Sequence, residues 1–176
     1  MYKVGFANLD EQSEYAVLVR ESLEREVAKH DNIELICRDN ALNDDRAQQN
    51  AHEFAEMGVD AVVMYHINEN IGNLLRSILM PIPTICIDIP IPFTPYVGID
   101  NDEMGTLASE ALQLWIEDNW GGTLHKVLGL IDSRVRFAQS RVTKVVDTMK
   151  ETFGAKNTVS SLYLDMRYDR DENHRI

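Results

Sequence analysis

The 176 residues are 44% hydrophobic and 26% charged, the balance of a globular chain long enough to bury a real core. A net charge of −12 argues against nucleic acid and anionic membrane surfaces as partners, because both need clustered Lys and Arg. No apolar run approaches the ~20 residues of a membrane span.

The chain starts with an apolar strand near residues 3–9, and Ser13 is placed to cap a helix. Ala16, Val19, Leu23 and Val27 then recur at three- and four-residue spacing, which predicts one buried helical face. Residues 33–37 form the second strand, closed by Asp39-Asn40. Asn43 or Asp44 opens a helix whose inward stripe is Ala47, Ala51, Phe54 and Ala55, with Gly58 at its carboxyl end. Residues 59–65 are apolar at nearly every position, as a parallel strand covered on both faces should be.

A short helix over 71–79 stops at Pro81 and Pro83, and the fourth strand runs from Thr84 to Asp88. Three prolines between Ile89 and Pro95 exclude a helix and favour an extended crossing. A brief strand over 96–99 leads to a helix capped by Asp100 or Asn101 and containing Leu107, Ala108, Ala111, Leu112 and Trp115. Trp115 and Trp120 read as packing between helix and sheet. After Gly121-Gly122 come a strand over 127–131 and a helix with Val142, Val145, Val146, Met149 and Phe153 inward. A last strand covers 159–164, before a charged tail to residue 176.

Strands alternating with amphipathic helices predict βαβ units, a largely parallel sheet, and strand-to-helix loops gathered on one edge. Asp10, His66, Asp88 and Asp132 all fall in such loops, where ligands of open α/β sheets bind. Catalysis has little support. The chain has no GxSxG elbow, Walker loop, GxGxxG or HExxH, and no nucleophile or metal set completes a pair drawn from Asp88 and His66. Cys37 and Cys86 lie inside apolar strands without CxxC or His-rich spacing and read as small buried hydrophobes. No cofactor is expected.

Several segments in order resemble one family. They are Lys3-Val4-Gly5-Phe6, Asp39-Asn40, Met57-Gly58-Val59-Asp60-Ala61-Val62-Val63, Pro83-Thr84-Ile85-Cys86-Ile87-Asp88, Val97-Gly98-Ile99-Asp100-Asn101, Trp120-Gly121-Gly122 and Ala138-x-x-Arg141. Over residues 3–164 this pattern resembles the type I periplasmic binding proteins and the lactose-repressor-like sensor domains. The resemblance implies an α/β fold of two Rossmann-like three-layer lobes with parallel sheets, clamping a small carbohydrate between them. It implies a first lobe over 1–95, a partial second lobe over 96–164 and a tail over 165–176.

It also implies roles. Asp88 matches the carboxylate that accepts sugar hydroxyls, and Arg141 the arginine that grips ligand oxygens in a fork. Tyr15 falls near the aromatic that packs on a pyranose face, and Asp10 and His66 at loop positions that add polar contacts. The chain departs from the pattern in lacking Pro-Phe-Phe in the first loop, in placing Ile89 after Asp88, and in reading Met64-Tyr65-His66 at the third strand's end.

The implied function is the substrate-binding component of an ABC-type sugar transport system, with a membrane permease as partner. The alternative is the effector-sensing domain of a lactose-repressor-like regulator without its DNA-binding part. The location is extracytoplasmic if a signal peptide has been removed, and cytoplasmic otherwise. An incomplete second lobe predicts weak sugar binding by this chain alone and self-association through uncovered apolar surface.

Overall fold

A computed structural model describes residues 1–133, 135–154 and 158–165. The chain forms two compact units, Met1–Gly98 and Ile99–Ile176. The first contains β1 (Tyr2–Asn8), α1 (Glu14–Val27), β2 (Ile33–Asp39), α2 (Asp44–Met57), β3 (Ala61–Met64), a 3-10 turn (Glu69–Ile71), α3 (Gly72–Leu79), β4 (Thr84–Ile87) and β5 (Tyr96–Val97). The second contains α4 (Asn101–Trp120), β6 (Lys126–Ile131), α5 (Arg136–Gly154) and β7 (Ser160–Asp165). Of the charged tail expected at 165–176, everything after Asp165 lies outside the described residues.

All five strands of the first sheet are parallel, in the order β2-β1-β3-β4-β5. The period-2 alternation of strand side chains divides the apolar residues between two cores. Phe6, Val63 and Tyr65 pack with Ala16, Val19 and Leu23 of α1 on one face. Ala7, Val62 and Met64 pack with Ala51 and Phe54 of α2 and Leu75 of α3 on the other. This three-layer arrangement explains why β3 is apolar at successive positions.

Local chemistry sets the helix ends. Asn43 Oδ1 accepts from Arg46 N–H at 2.9 Å, and Gly58 closes α2 with φ of 61°. Ser13 occupies the N-cap of α1, but its side chain makes no capping hydrogen bond, contrary to expectation. Asp100 rather than Asn101 caps α4, accepting from Asp102 and Glu103 N–H.

The second unit has a two-stranded parallel sheet, β6–β7. Ile116, Leu124, Met149 and Phe153 form its core, so α5 turns inward the side expected of it. The packed side of α4 does not include Trp115, expected between helix and sheet. It consists of Asn101, Gly105, Ser109 and Ile116, while Leu107 and Trp115 are exposed. The reason is the closeness of α5. A Cβ on Gly105 would lie 2.9 Å from the Arg141 carbonyl oxygen and 3.0 Å from its Cα, so only glycine fits there without a shift. Trp115 and Trp120 therefore pack edge-to-face on each other, with centroids 4.8 Å apart, rather than between helix and sheet. Leu128, Leu130 and Leu162 stay half-exposed on one face of β6–β7.

In the first sheet, Gly5 gives Phe54 its seat, because a Cβ there would fall 2.8 Å from the buried ring. Gly5→Ala should therefore destabilise the fold by about 1–3 kcal/mol in urea unfolding. Adding Phe54→Leu should recover part of that loss, and strictly additive effects would show that the two positions do not meet.

Candidate functional site

In a doubly wound sheet of order 2-1-3-4-5 the crevice opens at the carboxyl ends of the first and third strands, where the winding direction reverses. Here those ends are Asn8 and the Tyr65-His66 pair following β3. A relay of buried amides ties them together. Asn50 of α2 donates to Asn40 Oδ1 at 2.8 Å and to the Asp39 carbonyl at 2.9 Å. Asn40 in turn donates through its side chain to the Tyr65 carbonyl at 2.8 Å and through its backbone N–H to the Asn8 carbonyl at 2.9 Å. The chain leaves Asn40 through Ala41 and Leu42, both left-handed at φ of 51° and 53°, closed by Asn43 N–H on the Asn40 carbonyl.

His66 is only 1% exposed, and neither ring nitrogen has a hydrogen-bond partner among the described residues. Burial pushes its pKa down to about 4, with the Asn68 backbone opposing weakly although it makes no hydrogen bond of normal geometry to the ring. The imidazole is therefore neutral near pH 7, with one nitrogen donating and the other accepting. Asn68 follows on the same loop, donating to Asp44 Oδ2 at 2.7 Å.

Asn8 is fully buried, and its amide nitrogen donates to the Asp10 carbonyl at 3.0 Å and to Glu11 Oε1 at 2.8 Å. Arg20 holds Glu11 from the other side at 2.9 Å. Asn8 Oδ1 has no partner among the described residues. Buried polar atoms are almost always satisfied, so three unsatisfied atoms at the two strand ends of a switch point are informative. Asn8 was not among the candidate residues. The available signal was an amide closing an otherwise apolar strand.

Asp10 is buried beside Asn8, whereas Tyr15 is exposed on the first turn of α1. Asp88, half-buried, follows β4 with φ of 57°. Ile89 N–H donates to the Ile87 carbonyl at 2.6 Å, which closes a γ-turn around Asp88, a rare and strained form for a residue other than glycine. Asp88 N–H donates to the Val97 carbonyl at 3.0 Å, and Tyr96 Oη donates to the Asp88 carbonyl at 3.4 Å. The first unit thus places Asp10, His66 and Asp88 at the carboxyl ends of neighbouring strands, with Tyr15 on the following helix. Arg141 belongs to the second unit, on α5, partly buried with Nη1 3.7 Å from Met104 Sδ.

Among the described residues, no cluster of three or more His, Cys, Asp or Glu could hold a metal ion. No described helix is long and apolar enough to cross a membrane.

No protein-family model and no curated protein matches the sequence. Solved structures do match. A fructose-binding periplasmic domain of a hybrid two-component system superposes with TM-score 0.73 at 16% identity, covering 100% of this chain and 60% of that one. A periplasmic ribose ABC transporter protein from Conexibacter woesei gives 0.74 at 13% identity, covering 92% and 54%. A LacI transcriptional regulator from Lactobacillus brevis gives 0.68 at 15%, covering 93% and 58%. The chain thus spans a little over half the length of the proteins it matches. Likeness at such identities speaks to the fold, and together with the parallel sheet and its helices it shows that this chain is built on the type I periplasmic-binding-protein fold.

Proposed function

We propose that this chain binds a small, uncharged, hydroxyl-rich molecule, a monosaccharide, as the substrate-binding component of an ABC-type sugar transport system. The observation that carries the reading is the set of buried polar atoms without partners among the described residues, His66 Nδ1 and Nε2 and Asn8 Oδ1, at the switch point of the sheet. Hydroxyls both donate and accept, which suits a neutral imidazole and an amide oxygen. Asp88 supplies an acceptor for hydroxyl donors, Asp10 a second carboxylate and Tyr15 a ring face. Structures of the same fold carry fructose-binding and ribose-transport names, which supports the ligand class. The reading is of a binding protein rather than an enzyme, with a permease as partner and an extracytoplasmic location.

A second reading, the effector-sensing part of a transcription regulator, is supported by the likeness to the Lactobacillus brevis regulator. It uses the same site and differs in what the binding event is passed to.

Two measurements check the reading. Titrating D-fructose, D-ribose and L-arabinose into the protein under NMR should reveal millimolar or tighter binding of at least one sugar. Asp88→Ala should weaken that binding about 10-fold or more, the worth of a hydrogen bond to a charged group. Absence of any shift with all three sugars at 50-fold excess over ~1 mM sinks the carbohydrate reading.

The second measurement is pH-dependent stability. The folded pKa of His66, about 4, lies below its ordinary value near 6.5, so the neutral form favours the fold. Its contribution is complete above pH 6.5 and disappears as the pH falls from 6.5 towards 4, a loss of about 3 kcal/mol. His66→Gln should flatten the unfolding free energy across that window, and an unchanged slope would show that His66 is not buried neutral.

A further inference from the structure

The Pro90–Pro95 crossing needs an account of its hydrogen bonds, because its prolines contribute none of their own. Four N–H groups remain between Ile89 and Pro95. That of Ile89 closes the γ-turn around Asp88, and that of Thr94 donates to the Ile91 carbonyl at 3.2 Å. Phe93, left-handed at φ of 60°, is almost wholly exposed. The remaining donor, Ile91 N–H, is buried and has no oxygen to meet. It donates to Cys86 Sγ at 3.3 Å.

The thiol is therefore not the inert hydrophobe expected of it. Cys86, fully buried on β4, carries a single Sγ proton, which is within reach of both the Pro95 carbonyl and Thr94 Oγ1, each 3.3 Å away. Thr94 Oγ1 donates to the Ile91 carbonyl at 2.7 Å, and Cys86 N–H reaches the Pro95 carbonyl at 3.0 Å. Both ends of the crossing are thus fastened to one side chain two residues before Asp88.

We propose that Cys86 and Thr94 form a thiol–hydroxyl clasp that folds the crossing back onto β4 and holds Asp88 in its left-handed turn, making them positioning residues for the carboxylate assigned to the ligand. The functional consequence rests on the carbohydrate reading above, but the clasp itself does not. A residue other than glycine at positive φ is strained and persists where its surroundings impose it. The fastening at Ile91, Thr94 and Pro95 supplies that constraint after Asp88, as the Asp88 N–H bond to Val97 does at the residue itself.

The test is amide hydrogen exchange followed residue by residue by NMR on the full chain, with no ligand present. Thr94→Val, nearly isosteric, removes the hydroxyl, and Thr94→Ser restores it. Thr94→Val should speed exchange at the Asp88 and Ile91 amides about 10-fold or more while leaving Phe6 and Val63 unchanged, and Thr94→Ser should stay close to wild type. Cys86→Val should act like Thr94→Val, and Cys86→Ser should retain most of the protection. Should Thr94→Val fail to fold, the Cys86→Val and Cys86→Ser pair decides by the same comparison. Wild-type exchange in the valine variants, or equally fast exchange in the serine ones, overturns the clasp. A parallel titration with D-ribose and D-fructose, expected to weaken about 5-fold in Thr94→Val, reports on the link to binding. If no sugar binds wild type, the carbohydrate reading fails while the exchange data still judge the clasp.

Discussion

Much of the first unit depends on how the strand ends of its parallel sheet are satisfied. Once a strand leaves the ladder its carbonyls need new partners, and a buried carbonyl left alone costs as much as a lost hydrogen bond. Asn40 meets that need for two neighbours at once, accepting from Asn50 while reaching both the Asn8 and Tyr65 carbonyls. The relay spans the ends of β2, β1 and β3 and so defines where the ladder stops and the site begins. The left-handed turn at Ala41 and Leu42 carries the chain from this relay to the start of α2.

With the strand ends fixed, the polar groups beyond them remain uncommitted. Among the described residues His66 and Asn8 Oδ1 sit buried without partners, and Asp88 is held at a positive φ uncommon for a residue other than glycine. Each feature costs stability and none helps pack the core. Their shared edge is where an open α/β sheet places its ligands. Structural economy would have put apolar or satisfied residues there, so the departures from economy mark the candidate site.

The second unit obeys a different constraint. Its helices approach so closely at Gly105 that only glycine fits there without a shift, and the bulky residues of α4 are turned outward. Trp115 and Trp120 were expected between helix and sheet, but residue type and spacing cannot say which face a neighbour will occupy. The same limit applies to Ser13, well placed by type for a cap whose hydrogen bond does not form.

Residue pattern by itself determined the alternation of strands and helices, the Gly58 helix end, the start of α2 at Asn43 or Asp44, the parallel sheet and the edge that carries Asp10, His66 and Asp88. These follow from local rules: backbone freedom at glycine, the periods of helix and strand, and the handedness of crossovers. Tertiary structure alone decided that Asn8 and Asn40 belong to the strand-end network, that Cys86 is a polar hub, and which side of α4 is buried. Those outcomes depend on partners far apart in sequence, such as Asn40 with Tyr65, or on backbones that pack side by side, such as Gly105 with Arg141. A hydrogen bond or a close approach between such residues has no local signature. It exists only once the chain has brought them together.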